Sequence, residues 1–465
     1  MNELLNNDSL QISITLPNGW EYCKINYLIN KTGIFCDGDW IESKDQDTNG
    51  DVRLIQLADI GDGYFRNKSD RFLTKEKAKE LNCTFLKKGD LLIARLGEPL
   101  GKSCIFPGDK RQSITAVDVC IIRTNDNNDF HNWLKYTINS PFFRKAIAKL
   151  QSGTTRKRIS RKNLAKISFP LPPLPEQHRI VAKIEELFTR LDAGVEALQR
   201  AKALLKQYRQ AVLKDAVEGR LTEEWRKEHA GEVEPASVLL ERIQAERKQR
   251  LGKNYKPPRP IDTSNLPELP DGWAWAPLIN AAMLHRGYDL PVQNRINGIY
   301  PVVASSSIVG YHNKKMIDGP GVITGRSGTI GEVIYIDSDY WPLNTTLYVC
   351  DFNGNLPRFI YYLLKSIRLQ KYLAGTGVPT LNRNIVHPTL VPLPPVSEQV
   401  IIANFLDNYF SIIDESEQII DAELQRSQSL RQSILKRAFA GKLVPQDPND
   451  EPASVLLERI RKEKR

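Results

Sequence analysis

Apolar side chains recur at steps of four and three along residues 180–212: Ile180, Ile184, Leu187, Leu191, Gly194, Leu198, Ala201, Leu205, Tyr208 and Val212. That spacing is a heptad seam, and it predicts a long helix packed along one side. The same register returns 222 residues later at Ile402, Leu406, Tyr409, Ile413, Ser416, Ile420, Glu423, Ser427, Leu430 and Ile434. The second seam is polar in its middle, at Ser416, Glu423 and Ser427. Between Pro175 and Pro235 there is no proline. Gly219 and Gly441 are suitable C-terminal punctuation. At 1.5 Å per residue each rod is ~60 Å long. A rod that long must pair, and its most economical partner is its own copy.

Elsewhere the pattern is that of short strands. Asp90–Arg95 and Val117–Ile122 read as strands before a helix over Phe130–Leu150. Gly321–Thr324, Glu332–Ile336 and Thr346–Val349 read as strands before a helix over Arg358–Leu373. The chain is therefore expected to be α+β, with two mixed α/β domains on a frame of two long helices.

The copies are explicit in the letters. Leu16-Pro-Asn-Gly-Trp20 returns as Leu269-Pro-Asp-Gly-Trp273. Leu171–Thr222 aligns without a gap to Leu393–Val444, with fifteen identities in 52 positions. The decapeptide EPASVLLERI stands at Glu234–Ile243 and again at Glu451–Ile460. These offsets divide the chain into a first variable head (1–170), a first helical region (171–222), a repeat tail and linker (223–268, with 244–268 as the linker proper), a second head (269–392), a second helical region (393–444) and a C-terminal tail (445–465). The distance from LP-x-GW to LPP is 31 residues longer in copy one, whereas the helical regions keep step. Solenoid repeats are far shorter than this.

Composition narrows the function. Lys and Arg exceed Asp and Glu by 65 to 55. Residues 1–170 hold 27 of the basic and 20 of the acidic side chains, and residues 269–392 hold 10 and 7. Basic heads point to a polyanion. No apolar run is long enough to span a bilayer, and the N-terminus has neither the basic start nor the apolar stretch of a signal peptide. A cytoplasmic protein with free thiols is expected, because the six cysteines form no C-x-x-C pair. The six histidines show no metal spacing. Gly97-Glu-Pro-Leu-Gly101-Lys102-Ser103 is one residue short of a phosphate loop and leads into a strand, so it reads as a tight turn. Asp37, Glu42 and Lys44 resemble a nuclease carboxylate set only faintly, and copy two lacks them. The expected class is a non-catalytic, two-headed binding protein.

Just before each LPP lies a polar loop. Copy one reads Gly153-Thr-Thr155-Arg156-Lys157-Arg158-Ile-Ser-Arg161-Lys-Asn163, and copy two reads Gly375-Thr-Gly-Val-Pro379-Thr380-Leu381-Asn382-Arg383-Asn384. Such side chains contact phosphates and base edges. Arg95 and Arg326 also align, each two residues before a turn glycine. With Lys102, Lys314 and Lys315, these residues (Thr155, Arg156, Lys157, Arg158, Arg161, Thr380, Asn382 and Arg383 from the loops) form the candidate DNA-binding set.

The duplicated order resembles the specificity subunit of type I restriction-modification systems. The resemblance rests on Pro170–Pro173 with Glu176-Gln177, on Pro392–Pro395 with Glu398-Gln399, and on the helix ends Leu213…Gly219 and Leu435…Gly441. It covers nearly the whole chain. It implies two target-recognition domains, separated by an antiparallel helical pair with pseudo-two-fold symmetry, each reading half of a split site in double-stranded DNA. Glu176, Gln177, Leu213, Gly219, Glu398, Gln399, Leu435 and Gly441 would then belong to the helical frame that docks partners. Those partners would be two methyltransferase subunits and the restriction subunits, and they would carry S-adenosylmethionine, ATP and Mg. No cofactor or metal is expected in this chain. The alternative is a scaffold that binds protein only, which salt-dependent binding of duplex DNA would exclude.

Overall fold

The computed structural model describes residues 15–124, 130–254, 261–262, 264–374 and 379–464. Compactness does not divide the chain at the copy boundaries. One unit comprises Met1–Leu198 with Ala422–Arg465, and the other comprises Gln199–Asp421. Each unit therefore takes its head from one copy and part of its frame from the other.

In the first unit the head closes on itself. Glu21–Lys24, just after LP-x-GW, pairs antiparallel with Ser168–Leu171, so entry and exit lie side by side. Between them stands a four-stranded antiparallel sheet in the order Ile34–Asp37, Val119–Arg123, Leu91–Ala94, Ser103–Ile105. All four residues of Leu91–Ala94 are buried, because alternate side chains enter different cores. Leu91 and Ile93 join Trp133, Phe143 and Phe169, whereas Leu92 and Ala94 join Ile55, Ile60 and Val119. A three-stranded sheet of Arg71–Leu73, Val52–Ile55 and Gln112–Thr115 completes the head, the last two strands running parallel.

The helix expected over Phe130–Leu150 is two helices, His131–Ile138 and Pro141–Leu150. Proline cannot sit inside a helix but suits its first turn. Ser140 supplies the cap, its hydroxyl accepting from Phe143 N at 3.3 Å.

In the second unit the head has the same plan despite its different sequence. Ala274–Pro277 pairs with Leu390–Leu393. The four-stranded sheet runs Met283–Arg286, Thr346–Asp351, Gly321–Gly325, Val333–Ile336, and the three-stranded one runs Ile308–His312, Tyr300–Val303, Trp341–Pro342. The helix expected to reach Leu373 stops at Ser366, whose hydroxyl bonds back to Leu363 O at 2.7 Å. A short 3-10 turn, Leu369–Tyr372, follows.

Two long helices supply the frame: α1, Leu174–Val217, and α2, Val396–Phe439. In the second unit they run antiparallel, because Lys202 pairs with Asp421 while Arg209 pairs with Asp414. The first seam is well covered only near the heads. Ile180, Ile184 and Val212 are buried, but Leu191, Leu198 and Leu205 are half-buried and Gly194 and Tyr208 are exposed. Two helices alone cannot enclose both flanks of a heptad stripe. The polar middle of the second seam is satisfied within its own helix: Ser416 and Ser427 hydroxyls donate to Ile412 O and Glu423 O, each at 2.8 Å.

The helix ends and the decapeptides form one joint in each unit. Gly219 and Gly441 have φ of 72° and 64°. The next N–H turns back to a carbonyl five residues earlier, Arg220 N to Asp215 O and Lys442 N to Arg437 O, each at 2.9 Å. A Cβ on Gly219 would lie 2.6 Å from Pro270 Cγ, and one on Gly441 would lie 2.3 Å from Pro17 Cγ. So the end of each helix seats under the LP-x-GW motif of the other copy. The decapeptides follow it there. Ala236 N donates to Gly272 O at 2.8 Å and Ala453 N to Gly19 O at 2.9 Å. Leu239 and Ile243 enter the core with Trp273; Leu456 and Ile460 enter the core with Trp20. The stretch 244–268, expected to be a linker, opens instead as helix, because the first decapeptide continues through Ala236–Leu251. Its Gln-Ala-Glu-Arg-Lys-Gln-Arg extension holds no breaker before Gly252. The Pro-rich part of that linker, Lys256–Pro260, lies outside the described residues.

Candidate nucleic-acid interface

Arg95 and Arg326 leave the central strands of their heads at one structural position. Arg95 N donates to Asp118 O and Arg326 N to Thr345 O, each at 2.8 Å. Each arginine carbonyl then receives the polar loop: Ile159 N donates to Arg95 O at 3.0 Å, and Leu381 N to Arg326 O at 2.8 Å. Isolated bridges, Leu96 to Arg158 and Ser327 to Thr380, extend the zipper. Two motifs that stand more than fifty residues apart in the sequence are thus one surface in both heads.

In the first head the loop is pinched at its base, where Ser152 and Arg158 exchange backbone hydrogen bonds of 2.9 Å. Gly153, at φ 92°, makes the turn, since a Cβ there would meet Arg156 O at 2.4 Å. Thr155, Arg156, Lys157 and Arg158 are exposed. Among the described residues none of the three cations has an ion pair. An open cleft of about 310 Å³ lies between this tip and Leu96-Gly97-Glu98. Arg95 is held more tightly: it pairs with Asp37 at 3.3 Å and donates to Val117 O at 2.5 Å. Arg161 approaches the same carboxylate at 3.4 Å and donates to Phe35 O at 3.1 Å. Lys102 folds back on its own turn, donating to Glu98 O at 2.8 Å.

In the second head Thr380, Asn382 and Arg383 flank Arg326 in sequence register, while Gly375–Val378 of that loop lies outside the described residues. Asn382 caps the short helix Arg383–Val386, accepting from Asn384 N at 3.0 Å, as Ser160 caps Arg161–Leu164. Lys314 is exposed. Lys315 is not a free cation, because Asp318 and Asp339 both bind it, at 2.6 and 2.8 Å.

The other sequence candidates separate cleanly. The Gly97–Ser103 string is a turn between paired strands, with Gly97 and Gly101 at φ 98° and 79°. Asp37 faces arginines, while Glu42 pairs with Lys44 at 2.8 Å, so the nuclease-like carboxylates serve different partners. Among the described residues no group of three or more His, Cys, Asp or Glu could hold a metal ion, and no helix is long and apolar enough to cross a membrane.

Glu176, Gln177, Glu398 and Gln399 are buried, so their side chains brace this chain and present nothing to a partner. Trp20 Nε1 donates to Glu176 at 2.9 Å and Trp273 Nε1 to Glu398 at 2.8 Å. Burial pushes the Glu176 carboxyl up, against the pull of the Trp20 N–H. Gln177 donates to Pro172 O at 2.8 Å and Gln399 to Pro394 O at 3.1 Å, tying the PLPP turn to the helix it opens. Leu435 is buried in the first unit and Leu213 is half-buried in the second.

Sequence reasoning missed the seat of each head on the helices. Tyr136 bonds Glu185 at 3.4 Å and meets the Phe188 ring edge-on at 5.9 Å. Arg431 of α2 stacks on Phe188 at 4.1 Å and pairs with Asp192. The second unit repeats this with Tyr362, Asp407, Phe410, Asp414 and Arg209. The signal was available: between Ile180 and Gln210 the only identities with the second copy are Phe188, Asp192 and Arg209.

An α/β head used twice, each packed on parts of two long helices, is the plan of a two-headed protein. A family model described as "Type I restriction modification DNA specificity domain" matches residues 17–200 and 286–426. The chain belongs to that family: it is a specificity subunit of a type I restriction-modification system, a DNA-recognition protein rather than an enzyme. It is 25% identical over 441 residues to the type I restriction enzyme EcoKI specificity subunit of Escherichia coli K12, covering 88% of each chain. Among solved structures it resembles a chain from a study of complex assembly and conformational transition of the type I R-M system (TM-score 0.67, 16% identity, 92% of this chain and 100% of that one). It also resembles the HsdS subunit of Thermoanaerobacter tengcongensis (TM-score 0.51, 18% identity, 92% and 98%).

Proposed function

We propose that each head reads one half of a bipartite, asymmetric site in double-stranded DNA. The observation that carries this reading is the zipper of an arginine turn to a polar loop, built identically in both heads but furnished with different side chains. The Thr155–Arg158 tip offers charge without internal partners, and phosphate contacts of that kind position a protein on a duplex. Different tips, Arg156-Lys157-Arg158 against Pro379-Thr380, favour different half-sites and hence a site without a palindrome.

The frame would dock two methyltransferase subunits, and the restriction subunits would join that complex. Support comes from apolar side chains left in solvent on the helices of the second unit: Leu204 at 62% exposure, Ile412 at 62% and Ile419 at 57%. Such side chains are costly to leave wet. S-adenosylmethionine, ATP and Mg²⁺ chemistry is assigned to those partner chains, and the complex to the cytoplasm. Methylome sequencing of the host with and without this gene tests the reading. Loss of one bipartite adenine-methylation motif is the expected result. An unchanged methylome, with no salt-dependent binding of duplex DNA by the assembled complex, would leave a protein-only scaffold.

A further inference from the structure

Asp37 and Arg286 occupy one position in the two heads. Asp37 lies opposite Cys120 in the four-stranded sheet, and Gly38 N donates to Val119 O at 2.8 Å. Arg286 lies opposite Leu347, and Gly287 N donates to Thr346 O at 3.1 Å. The glycine that follows is crowded in both: a Cβ would meet Ala116 O at 2.3 Å in one head and Leu343 O at 2.2 Å in the other. Arg95 and Arg326 stand at the matching place just past the end of the next strand but one, and Arg161 and Arg383 open the matching short helix. The first head therefore sets one carboxylate between two guanidinium groups. The second has an arginine at the position of that carboxylate, and among the described residues no carboxylate pairs with Arg286, Arg326 or Arg383.

We propose that this position determines what each head reads: Asp37 is a positioning residue that aims Arg95 and Arg161 at bases of the first half-site, and Arg286 supplies an extra donor at the second. The inference rests on the DNA-reading function above. An arginine on a free stem settles on phosphates, which carry no sequence information. A guanidinium fixed from behind keeps its fork for two acceptors on one base, as on guanine O6 and N7. Arg95 is fixed in this way by Asp37 and Val117 O, and Arg161 by Asp37 and Phe35 O. The carboxylate is one-third exposed, at 34%, so it also repels backbone phosphates from the pair. Reversal of sign at residue 286 removes that repulsion and favours acceptor-rich edges or backbone in the second head.

The test uses the full chain assembled with its partner subunits. Probes are a short duplex carrying the motif found by methylome sequencing and two versions with either half-site scrambled. D37N should lower discrimination of the first half-site by about ten- to hundred-fold. Discrimination of the second half-site should hold and the salt slope should steepen as the freed arginines settle on phosphates, a pattern that a merely destabilised head would not give. D37E should retain most of the preference. R161Q, at an exposed side chain, should reproduce the first-half-site loss and serves where D37N does not assemble; R286D should move the second half-site alone. Full first-half-site discrimination in D37N and R161Q, or equal losses at both half-sites, overturns the proposal. A wild-type complex with no preference among the three duplexes overturns the DNA-reading function itself, and this inference with it.

Discussion

Arg156, Lys157 and Arg158 form a run of three exposed cations with no carboxylate beside them, unlike Arg95, Arg161 and Lys315, and this sets them apart as candidates for phosphate binding. Replacing all three with alanine should weaken binding to every duplex and reduce the salt slope by roughly 0.9 for each phosphate that is no longer neutralised. Titration of affinity against salt measures it, and an unchanged slope would assign the tip to structure. K315A, by contrast, should disturb the segments that Asp318 and Asp339 tie to Lys315 and leave the slope alone. His387 offers a pH signature. Its Nε2 accepts from Leu284 N at 3.0 Å, and burial, helped by Arg383 and Arg247, pulls it from the usual 6.5 to about 4. Below pH 6.5 the unfolded chain takes up a proton that the folded chain refuses, so stability is full above 6.5 and falls as pH drops toward 4. Thermal melts of the wild type should show that loss, and H387Q, which can accept the same bond uncharged, should flatten it. The aligned arginines were legible because each keeps its distance from a turn glycine. Asp37 was not, because its partners lie 58 and 124 residues away and nothing local marks the pairing.

At the scale of elements, the stack of Arg431 on Phe188, with Asp192 beside it, joins α2 to α1 where Tyr136 of the first head meets the same ring. R431A should cost about 1–2 kcal/mol, from a half-exposed cation–π interaction and a solvated ion pair. R209A should cost a similar amount in the second unit, and the double variant should show the sum, since the sites share no partner. Denaturant melts of the three variants check this; strong non-additivity would mean that the two seats communicate. The helices themselves were plain in the heptad spacing, and their ends in Gly219 and Gly441. Cover along the seam was not: periodicity says which side chains face inward, not how many neighbours are there to meet them. The split before Pro141 was written in the letters, yet the apolar pattern runs across it, and pattern alone joined the two helices.

For the whole molecule, the copy boundaries and the compact units do not coincide, and this governs what can be exchanged. Replacing residues 16–170 with the head of another family member should change one half-site and spare the other, provided the graft keeps Pro17, Gly19 and Trp20, which meet Gly441 and Ala453. Methylome sequencing of the chimera reads both halves at once; altered recognition at both would end the modular view. The repeat order was legible without any structure. The crossing of each tail to the other copy's opening motif was a geometric consequence that spacing left open.

The twin joints have a hereditary consequence. Because both seats accept the same decapeptide, letter for letter, the segments that encode the two tails have interchangeable products. A recombination event between them, or with a relative's, delivers a new head already equipped with a socket that fits the resident tail. Residues at the joints cannot drift one copy at a time, since each answers to a partner in the other copy. Each head adds only a few contacts to the other copy's helix, such as Trp133 and Phe142 against Phe439, and a lineage that keeps them can trade heads as whole cassettes while the frame that receives them stays still.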